Sequence, residues 1–296
     1  MNESPVWEDP RRVLARHGLR PKRGMSQNFL VARSAVEKIA DALQLAEHET
    51  VIELGPGLGT LTGALLRRGA HVIALDADQD MLAVLAKEFA QFPQLDARFG
   101  DASALDLLAV LPSLAPAGRI AVAGNLPYSV TGAIFRRLVA QHQHVSRAVL
   151  MVQREVRDRL VGEPGTKQYG ALTVFTRGVF DVRSVCIVSA GSFFPPPKID
   201  SAVVELTPRA LPIDVEDRTF VSIVRASFEA RRKTLRNALL RVREAELVDH
   251  ALAAAGIDGK RRGETLSVSE FAGLAAQFDG LALGGGRGVD TTKKSG

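Results

Sequence analysis

The sequence predicts an α/β protein, with a mostly parallel β-sheet covered by helices on both faces and a smaller C-terminal domain made only of helices. Up to residue 208, short apolar runs alternate with segments whose apolar residues recur at helical spacing. Such alternation is typical of strand–helix–strand units in a parallel sheet. Beyond residue 208 the strand signal ends and helical periodicity alone continues, which predicts the second domain.

These patterns also place the individual elements. Strands are predicted at residues 50–54, 71–76, 119–125, 147–153, 180–188 and 201–206, with another ending near residue 100. Helices are predicted at residues 34–45, after the first two of these strands, and at residues 217–241, 244–255 and 267–278. We therefore expect a flexible N-terminal arm (1–20), a catalytic α/β domain (21–208), a helical domain (209–280) and a disordered Gly-rich tail (281–296).

The composition limits the classes of protein to consider. Of the 296 residues, 46% are hydrophobic, and the formal net charge is +5, which suits a polyanionic partner. Because Cys186 is the only cysteine, an internal disulfide and a cysteine-based metal site are excluded. No apolar run approaches the roughly 18 residues of a membrane span. The polar N-terminal residues do not resemble a signal peptide, so we expect a cytoplasmic protein.

A glycine-rich turn follows the first predicted strand, at residues 53–59 (ELGPGLG). Glycines such as Gly55 and Gly57 let the backbone turn sharply and approach a ligand. A dinucleotide-binding fingerprint needs a further glycine where Thr60 stands, so the spacing argues against NAD. It matches the loop that binds S-adenosylmethionine (SAM) in methyltransferases with a Rossmann-like sheet, although a glycine turn of purely structural importance has the same composition.

Polar side chains stand at the ends of the next predicted strands. Asp76 ends the second strand, Asp101 follows the third and Asn125 ends the fourth. Ligands of such sheets bind beyond the carboxyl ends of the strands. Asp76 is therefore a candidate to accept hydrogen bonds from a ribose, and Asp101 from an adenine amine. Helix capping is the alternative role for either aspartate.

The predicted chemical centre is the segment NLPY at residues 125–128. The exocyclic amine of adenine is a weak nucleophile, because its lone pair is delocalised into the ring. The side-chain oxygen of Asn125 and a backbone carbonyl can accept its two protons. Pro127 stiffens the turn, and Tyr128 offers an aromatic face for stacking. Such a site works by orientation and hydrogen bonding, without a metal or a nucleophile, on a base that has left its helix.

A proline-rich segment at residues 192–201 (SFFPPPKIDS) is the second unusual motif. Three consecutive prolines fix an extended and rigid backbone. Such a backbone would hold Phe193 or Phe194 as the opposite wall of a base sandwich. The alternative, a ligand for a proline-binding domain, is disfavoured by the strands predicted on either side.

Together these motifs make the chain resemble the KsgA/RsmA-type ribosomal RNA adenine dimethyltransferases of bacteria, from about residue 22 to residue 278. The resemblance rests on residues 27–30 (QNFL), 53–59, 101–102, 125–128, 193–201 and 228–237 (FEARRKTLRN). The last segment and the full helical domain favour this family over the related enzymes that methylate large-subunit RNA.

The resemblance implies dimethylation of N6 on two adjacent adenines near the 3′ end of small-subunit ribosomal RNA. The implied partner is an immature 30S subunit, and we expect a monomer without a metal. The implied cofactor contacts are Asn28, Leu30, Gly55, Gly57, Asp76, Asp101, Ala102 and Asn125. Asn125 and the carbonyl of Leu126 would accept the target amine. Tyr128 and Phe193 would flank the base.

Three positions depart from the family pattern. Ser26 stands where the family usually has a glycine before Gln27. Asp76 stands where the family has a glutamate on the ribose, and a competing register would align Ala74 there instead. We prefer Asp76, because Asp76 and Asp78 reproduce the family's acid-x-Asp pattern. Phe194 replaces a smaller polar residue, so two aromatic walls are available, and we favour Phe193.

Basic residues concentrate in the predicted helix 217–241 and nearby. The expected contacts to RNA are Lys22, Arg23, Arg231, Arg232, Lys233 and Arg236. Further cations in the same region are Arg225, Arg241, Arg243 and the cluster at residues 260–262. Cations on phosphates provide affinity and register without reading the base sequence. A solvated helix face is the alternative interpretation, and some of these arginines could instead pack against the catalytic domain.

Two other functions stay open. A DNA adenine methyltransferase has a similar four-residue centre, although this sequence shows no evident target-recognition insert. A non-enzymatic ribosome assembly factor would keep the basic surface without transferring methyl groups, which the intact Asn125 and Tyr128 argue against. The nucleic acid that accepts methyl groups distinguishes the first alternative, and calorimetry with SAM distinguishes the second.

Overall fold

The computed structural model describes residues 6–110 and 119–284. The described residues fall into two units, and each is compact by itself. The α/β unit comprises residues 6–110, 119–161 and 180–210, and the helical unit comprises residues 162–179 and 211–284.

The structure contains the following elements. The strands are β1 Phe29–Leu30, β2 Thr50–Leu54, β3 His71–Asp76, β4 Leu95–Phe99, β5 Ile120–Asn125, β6 Val145–Gln153, β7 Phe180–Val188, β8 Phe193–Phe194 and β9 Ser201–Pro208. The α-helices are α1 Pro10–His17, α2 Arg33–Ala42, α3 Thr60–Arg67, α4 Gln79–Glu88, α5 Leu107–Val110, α6 Thr131–Ala140, α7 Arg154–Leu160, α8 Ala171–Val179, α9 Arg218–Glu229, α10 Leu235–Leu239, α11 Ala245–Ala254 and α12 Val268–Gly284.

The core of the α/β unit is a seven-stranded sheet in the order β4-β3-β2-β5-β6-β9-β7. Among its described strands, β9 alone runs opposite to the others. Neighbouring residues of a strand point to opposite faces, and in β2 both Val51 and Ile52 are fully buried. Both faces of the sheet are therefore covered, which confirms the predicted fold class. The helices α2 and α3 share one apolar cluster with Val51.

The carboxyl ends of β2, β3 and β5 lie side by side because these strands pair in parallel register. Leu54 pairs with Leu75 on one side and with Gly124 on the other. The segments that follow these three strands consequently meet at one edge of the sheet. That edge positions the functional residues described below.

A second, two-stranded sheet joins two motifs that are far apart in sequence. β1 pairs antiparallel with β8, with Phe29 opposite Phe194 and Leu30 opposite Phe193. Sequence analysis assigns a rigid loop to the proline-rich segment and no strand partner. The pairing ties the QNFL segment to that loop.

The N-terminal residues differ from the flexible arm expected over residues 1–20. Residues 10–17 form α1, which begins at Pro10 after an Asp9 cap and ends at Gly18 in the left-handed region. Val13 and Leu14 are buried. The apolar contacts of these two side chains, together with the two caps, explain why this segment is helical. Residues 1–5 lie outside the described part of the chain.

The helical unit includes residues 162–179, which the linear division had assigned to the catalytic domain. The rings of Phe175 and Phe220 lie 5.9 Å apart, and the Ile213 amide donates a hydrogen bond of 2.8 Å to the Gly178 carbonyl. These contacts join α8 to the segment after β9. The chain therefore passes from one unit to the other three times, at residues 161/162, 179/180 and 210/211. A single boundary near residue 208 was expected.

The single helix expected over residues 217–241 is two helices. α9 ends at Glu229, and the Lys233 amide donates to the Ala230 carbonyl at 2.8 Å to close the turn that follows. Thr234 then caps α10 by accepting a hydrogen bond from the Asn237 amide. At the other end of the unit, α12 continues to Gly284, past the expected start of the tail at residue 281. Residues 285–296 lie outside the described residues.

Candidate active site

A cavity of about 280 Å³ lies where β2, β3 and β5 end. Every residue predicted to contact the cofactor lines it: Asn28, Leu30, Gly55, Gly57, Asp76, Asp101, Ala102 and Asn125. Leu126 and Tyr128 of the predicted chemical centre line it as well, whereas Phe193 does not. The structure therefore brings together residues from five separate segments of the α/β unit.

The glycine loop forms one wall of this cavity. Gly57 has a φ of +55°, a region that favours glycine. A Cβ atom at Gly57 would lie 3.1 Å from the ring of Phe29, so the loop packs too closely for a larger residue. A Cβ at Gly59, where α3 begins, would clash with the ring of Phe89. The loop is thus held between two aromatic rings while its backbone faces the cavity.

Asp76 ends β3 and turns its carboxyl group towards the glycine loop. Its Oδ2 accepts a hydrogen bond of 3.1 Å from the Gly57 amide, and its Oδ1 accepts one of 2.9 Å from the Asp78 amide. Burial raises the pKa of Asp76. A carboxylate retains further lone pairs after two such bonds. Ala74, which the competing register would align with the family's glutamate, is fully buried and lies outside the cavity lining.

Asp101 follows β4 and has a capping role as well as a place in the cavity wall. Its Oδ1 accepts from the Ser103 amide at 2.8 Å and its Oδ2 from the Ser103 hydroxyl at 2.7 Å. The alternative considered for Asp101, a helix cap, is therefore realised for the short turn at Ala102–Ala104. Because its side chain is exposed, capping does not remove it from contact with a ligand.

Glu53 is a cavity residue to which sequence analysis assigned no role. It is 1% exposed, and its Oε2 accepts a hydrogen bond of 2.6 Å from the Thr62 hydroxyl. Burial raises the pKa of Glu53 to about 8, and the nearby charge of Asp76 acts in the same direction. Glu53 consequently carries its proton at neutral pH. The signals in the sequence were an acidic residue within a largely apolar strand and its place at the start of the ELGPGLG motif.

The turn after β5 is held from several sides. The Asn125 side-chain amide donates to the Asn28 carbonyl at 3.1 Å, and the Leu126 amide donates to the Met151 carbonyl at 3.0 Å. The Thr131 hydroxyl donates to the Pro127 carbonyl at 3.1 Å. Among the described residues, none donates a hydrogen bond to the Leu126 carbonyl. The side-chain oxygen of Asn125 and this carbonyl are therefore acceptors available at the cavity.

The aromatic residues near the turn differ in their exposure. Tyr128 is half-buried, and its hydroxyl lies 2.9 Å from the Ser201 hydroxyl. Burial raises the pKa of Tyr128. Phe193 is 4% exposed and belongs to the apolar core, whereas Phe194 is 37% exposed. As neighbours in β8 the two rings point to opposite sides, and only Phe194 has a free surface.

Comparison with known proteins shows which family has this arrangement. The sequence model of the family described as ribosomal RNA adenine dimethylase matches residues 18–279. The chain belongs to this family. The match includes the glycine loop, the NLPY turn and the helical unit, so the resemblance stated from the motifs is confirmed.

Curated members of the family are similar over nearly their whole length. A protein from Myxococcus xanthus (strain DK1622), named Ribosomal RNA small subunit methyltransferase A, is 46% identical over 272 residues, covering 90% of this chain and 94% of its own. A protein of the same name from Geobacillus thermodenitrificans (strain NG80-2) is 40% identical over 271 residues, covering 89% and 92%.

Solved structures share the architecture of this chain. A dimethyladenosine transferase from Plasmodium falciparum aligns with a TM-score of 0.70 and 24% identity, covering 86% of this chain and 98% of that one, which shows the common fold. The 23S rRNA methyltransferase ErmE aligns with a TM-score of 0.65 and 26% identity, covering 85% and 100%.

Several cations that the clustering of basic residues assigned to RNA are engaged within the protein. Lys22 forms ion pairs of 2.7 Å with Asp78 and 2.6 Å with Asp80. The side chain of Arg23 lies outside the described part of the structure. Arg231 pairs with Glu264 at 2.9 Å.

Arg236 is also engaged, by Asp249, through hydrogen bonds from Nε at 2.6 Å and from Nη2 at 2.7 Å. Arg231 donates in addition to the carbonyls of Lys167 and Tyr169, both at 3.2 Å. Such bidentate and multiple bonds fix an arginine in place. Arg231 and Arg236 therefore make their contacts within the helical unit.

Five exposed cations of the helical unit line two grooves, which Glu216 and Glu229 line as well. Arg232 and Lys233 are exposed and have no ion-pair partner among residues 6–110 and 119–284. They line a groove together with Arg241. Arg241 also lines a second groove, with Arg218 and Arg225. These five residues are called the unpaired basic surface below.

Two searches of the described residues were negative. Within residues 6–110 and 119–284, no group of three or more His, Cys, Asp and Glu side chains is arranged to hold a metal ion. In the same part of the chain, every helix is too short or too polar to cross a membrane.

Proposed function

We propose that this protein transfers methyl groups from SAM to the N6 amine of adenine in ribosomal RNA. The observation that carries this proposal is the NLPY turn lining the same cavity as the glycine loop, in a chain of the ribosomal RNA adenine dimethylase family. A nucleoside-binding loop and an amine-accepting turn in one cavity hold donor and acceptor together, which is the main requirement of this reaction.

The residues of the cavity fit SAM. Asp76 has carboxylate oxygens for the ribose hydroxyls, and Asp101 has one within reach of the adenine amine. The absence of a Cβ at Gly57 leaves the loop backbone open to the ligand, while Leu30 and Ile39 add apolar walls. When bound, SAM supplies an electrophilic methyl group on a sulfonium centre.

The residues of the turn orient the target amine. Because the Asn125 side-chain amide donates to Asn28, its oxygen is left to accept one proton of the amine. The Leu126 carbonyl accepts the other. These two bonds direct the nitrogen lone pair away from the ring plane and towards the methyl group. Tyr128 stacks on the base, and the opposite wall is Phe193, as the resemblance implies, or Phe194, which has the exposed ring.

We further propose that the substrate is a pair of adjacent adenines near the 3′ end of small-subunit RNA, each methylated twice. The name shared by the curated relatives supports the small subunit, and the family description supports dimethylation. The partner is then an immature 30S subunit, and the protein acts on it as a cytoplasmic monomer that needs no metal.

The unpaired basic surface is the part of the helical unit suited to RNA. Arg232, Lys233 and Arg241 have no ion-pair partner among the described residues, so their contacts with phosphates cost no existing ion pair. Lys22, Arg231 and Arg236 are already neutralised. We therefore assign RNA affinity to the former group and internal support to Arg231 and Arg236.

The decisive experiment measures transfer of labelled methyl groups to 30S subunits that lack the modification. We expect dimethyladenosine in the RNA digest. Asn125→Ala should lower kcat on the order of a hundredfold or more, because it removes one acceptor of the amine, and should leave subunit binding unchanged. Lack of labelled RNA with protein that binds SAM would contradict the proposal.

The same assay separates the alternatives. Faster labelling of duplex DNA than of 30S subunits would indicate a DNA adenine methyltransferase. A non-enzymatic assembly factor would bind 30S subunits, yet calorimetry with SAM would show no heat.

A further inference from the structure

The helix α1 packs against the elements that form the cofactor cavity. Its buried side chains Val13 and Leu14 share one apolar cluster with Phe29, Leu58, Met81 and Val84. Leu58 belongs to the glycine loop, and Met81 and Val84 belong to α4. The helix thus packs against Leu58 and Phe29, two residues that also line the cavity.

Ion pairs attach the same segment to the end of α4. Glu88, the last residue of α4, accepts a hydrogen bond of 2.7 Å from Arg16 and lies 2.6 Å from the His17 ring nitrogen. Arg16 also pairs with Glu8 at 2.7 Å. Both ion pairs and apolar contacts therefore attach this short helix to α4.

The start of α4 is attached to the chain that follows α1. Asp78 caps α4 and accepts from Lys22 and from Gln27, both at 2.7 Å. The segment 16–27 is consequently attached to α4 at two places, the start of that helix and its end. The next residues along the chain are Asn28 and Phe29, which line the cavity.

The contacts continue from this segment into the site. The Phe29 ring lies 3.1 Å from the position of a Cβ on Gly57, so its placement sets the path of the glycine loop. The Asn28 carbonyl accepts the hydrogen bond that orients the Asn125 side chain. If α1 were displaced, Phe29 and Leu58 would lose their apolar contacts with it. The glycine loop and the segment that contains Asn28 would then be held less firmly at the cavity.

We propose that α1 is a positioning element for SAM: docked on α4, it holds Asn28, Phe29 and the glycine loop in the arrangement that binds the cofactor. This inference rests on the proposed function, because it takes the cavity as the SAM site. SAM binds the docked form, and its observed Kd rises in inverse proportion to the docked fraction. By linkage, bound cofactor must in turn hold α1 in place.

The first test is calorimetry of S-adenosylhomocysteine binding to the full-length protein, without RNA. Leu14→Ala removes buried contacts of α1, and we expect the Kd to rise about tenfold. Glu88→Gln releases Arg16 and His17 and should raise it about threefold. Arg12→Ala, on the exposed side of the same helix, is the matched control and should leave the Kd within about twofold.

Binding stoichiometry separates positioning from loss of folded protein. A variant that is merely less stable would lower the number of sites per chain and keep the Kd of the remaining sites. Positioning by α1 raises the Kd at full stoichiometry. Unchanged Kd values for both Leu14→Ala and Glu88→Gln, with normal binding by the unaltered protein, would overturn the positioning role of α1 and leave the proposed cofactor site intact. Failure of the unaltered protein to bind would overturn the proposed cofactor site as well.

Hydrogen exchange provides the reciprocal measurement. Amide exchange of residues 12–17 should slow when S-adenosylhomocysteine is added at a concentration well above its Kd, even though none of these residues lines the cavity. α11, in the helical unit, is the internal reference. Equal exchange of α1 with and without the ligand would contradict the linkage and, with it, the positioning role.

Discussion

Glu53 provides the sharpest quantitative prediction, because its protonation in the folded protein differs from that in the unfolded chain. Its pKa rises from an ordinary 4.5 to about 8 on burial. Between these values the folded protein holds a proton that the unfolded chain releases. Stability attributable to this carboxyl group is therefore lost progressively as the pH rises from about 4.5 to 8, by about 1.4 kcal/mol per pH unit.

Glu53→Gln removes this pH dependence with little change of shape. The amide matches a protonated carboxyl group, and its oxygen can still accept the hydrogen bond from Thr62. The free energy of unfolding of the variant should exceed that of the unaltered protein by an amount that grows with pH and reaches about 3 kcal/mol at pH 7. The two proteins should be nearly equal at pH 4.5.

Urea unfolding at several pH values between 5 and 8 measures this difference. Glu246→Gln, which alters an exposed carboxylate at the start of α11, is the control for loss of one negative charge, and it should give a small difference that varies little with pH. A constant difference between Glu53→Gln and the unaltered protein over pH 5–8 would refute the argument, since it would mean that Glu53 does not hold its proton in the folded state.

Three further predictions concern the site and the RNA surface. Gly57→Ala places a Cβ against the Phe29 ring at a φ of +55° and should raise the Kd for SAM about tenfold, measured by calorimetry; an unchanged Kd would show that the loop yields without effect. Phe193→Ala should lower the free energy of unfolding by about 3 kcal/mol or more because the ring is in the core, whereas Phe194→Ala should cost under about 1 kcal/mol. Whichever variant loses methyl transfer while retaining SAM binding identifies the second wall, and loss by neither would exclude both. For Lys233→Ala, the slope of log K for 30S binding against log salt concentration should become less negative by about 0.8. Arg236→Ala should change this slope much less, because Arg236 is already paired with Asp249.

The sheet and the site were predictable because their signals are local. Most strands of the large sheet contain a short apolar run, and the polar residues Asp76, Asp101 and Asn125 stand at or just after the ends of β3, β4 and β5. Parallel pairing then brings them to one edge without further information. The choice of Asp76 over Ala74 came from the acid-x-Asp pattern of the family, and the structure shows Asp76 at the cavity and Ala74 buried in the sheet.

The features that the sequence did not predict depend on contacts between residues that are far apart in the chain. α1 has only three buried residues, Pro10, Val13 and Leu14. The partners of Val13 and Leu14 on α4 are nearly seventy residues away. Its caps were visible, however, since Asp9, Pro10 and Gly18 are typical of helix ends. The role of Arg236 likewise follows from Asp249, which reaches it only in the folded protein.

The placement of α8 in the helical unit has a consequence for folding during synthesis. Its contacts are made with Ile213, Phe220 and residues further on, which leave the ribosome after β7 and β9. The ribosome synthesises roughly 5–20 residues per second, so the last of these partners emerges several seconds after α8. During that interval the Phe175 ring and the buried side chain of Tyr169 have no core to enter. The emerging chain thus still exposes these aromatic side chains to aggregation and proteolysis after the sheet is complete, and a product ending near residue 210 would remain in that state.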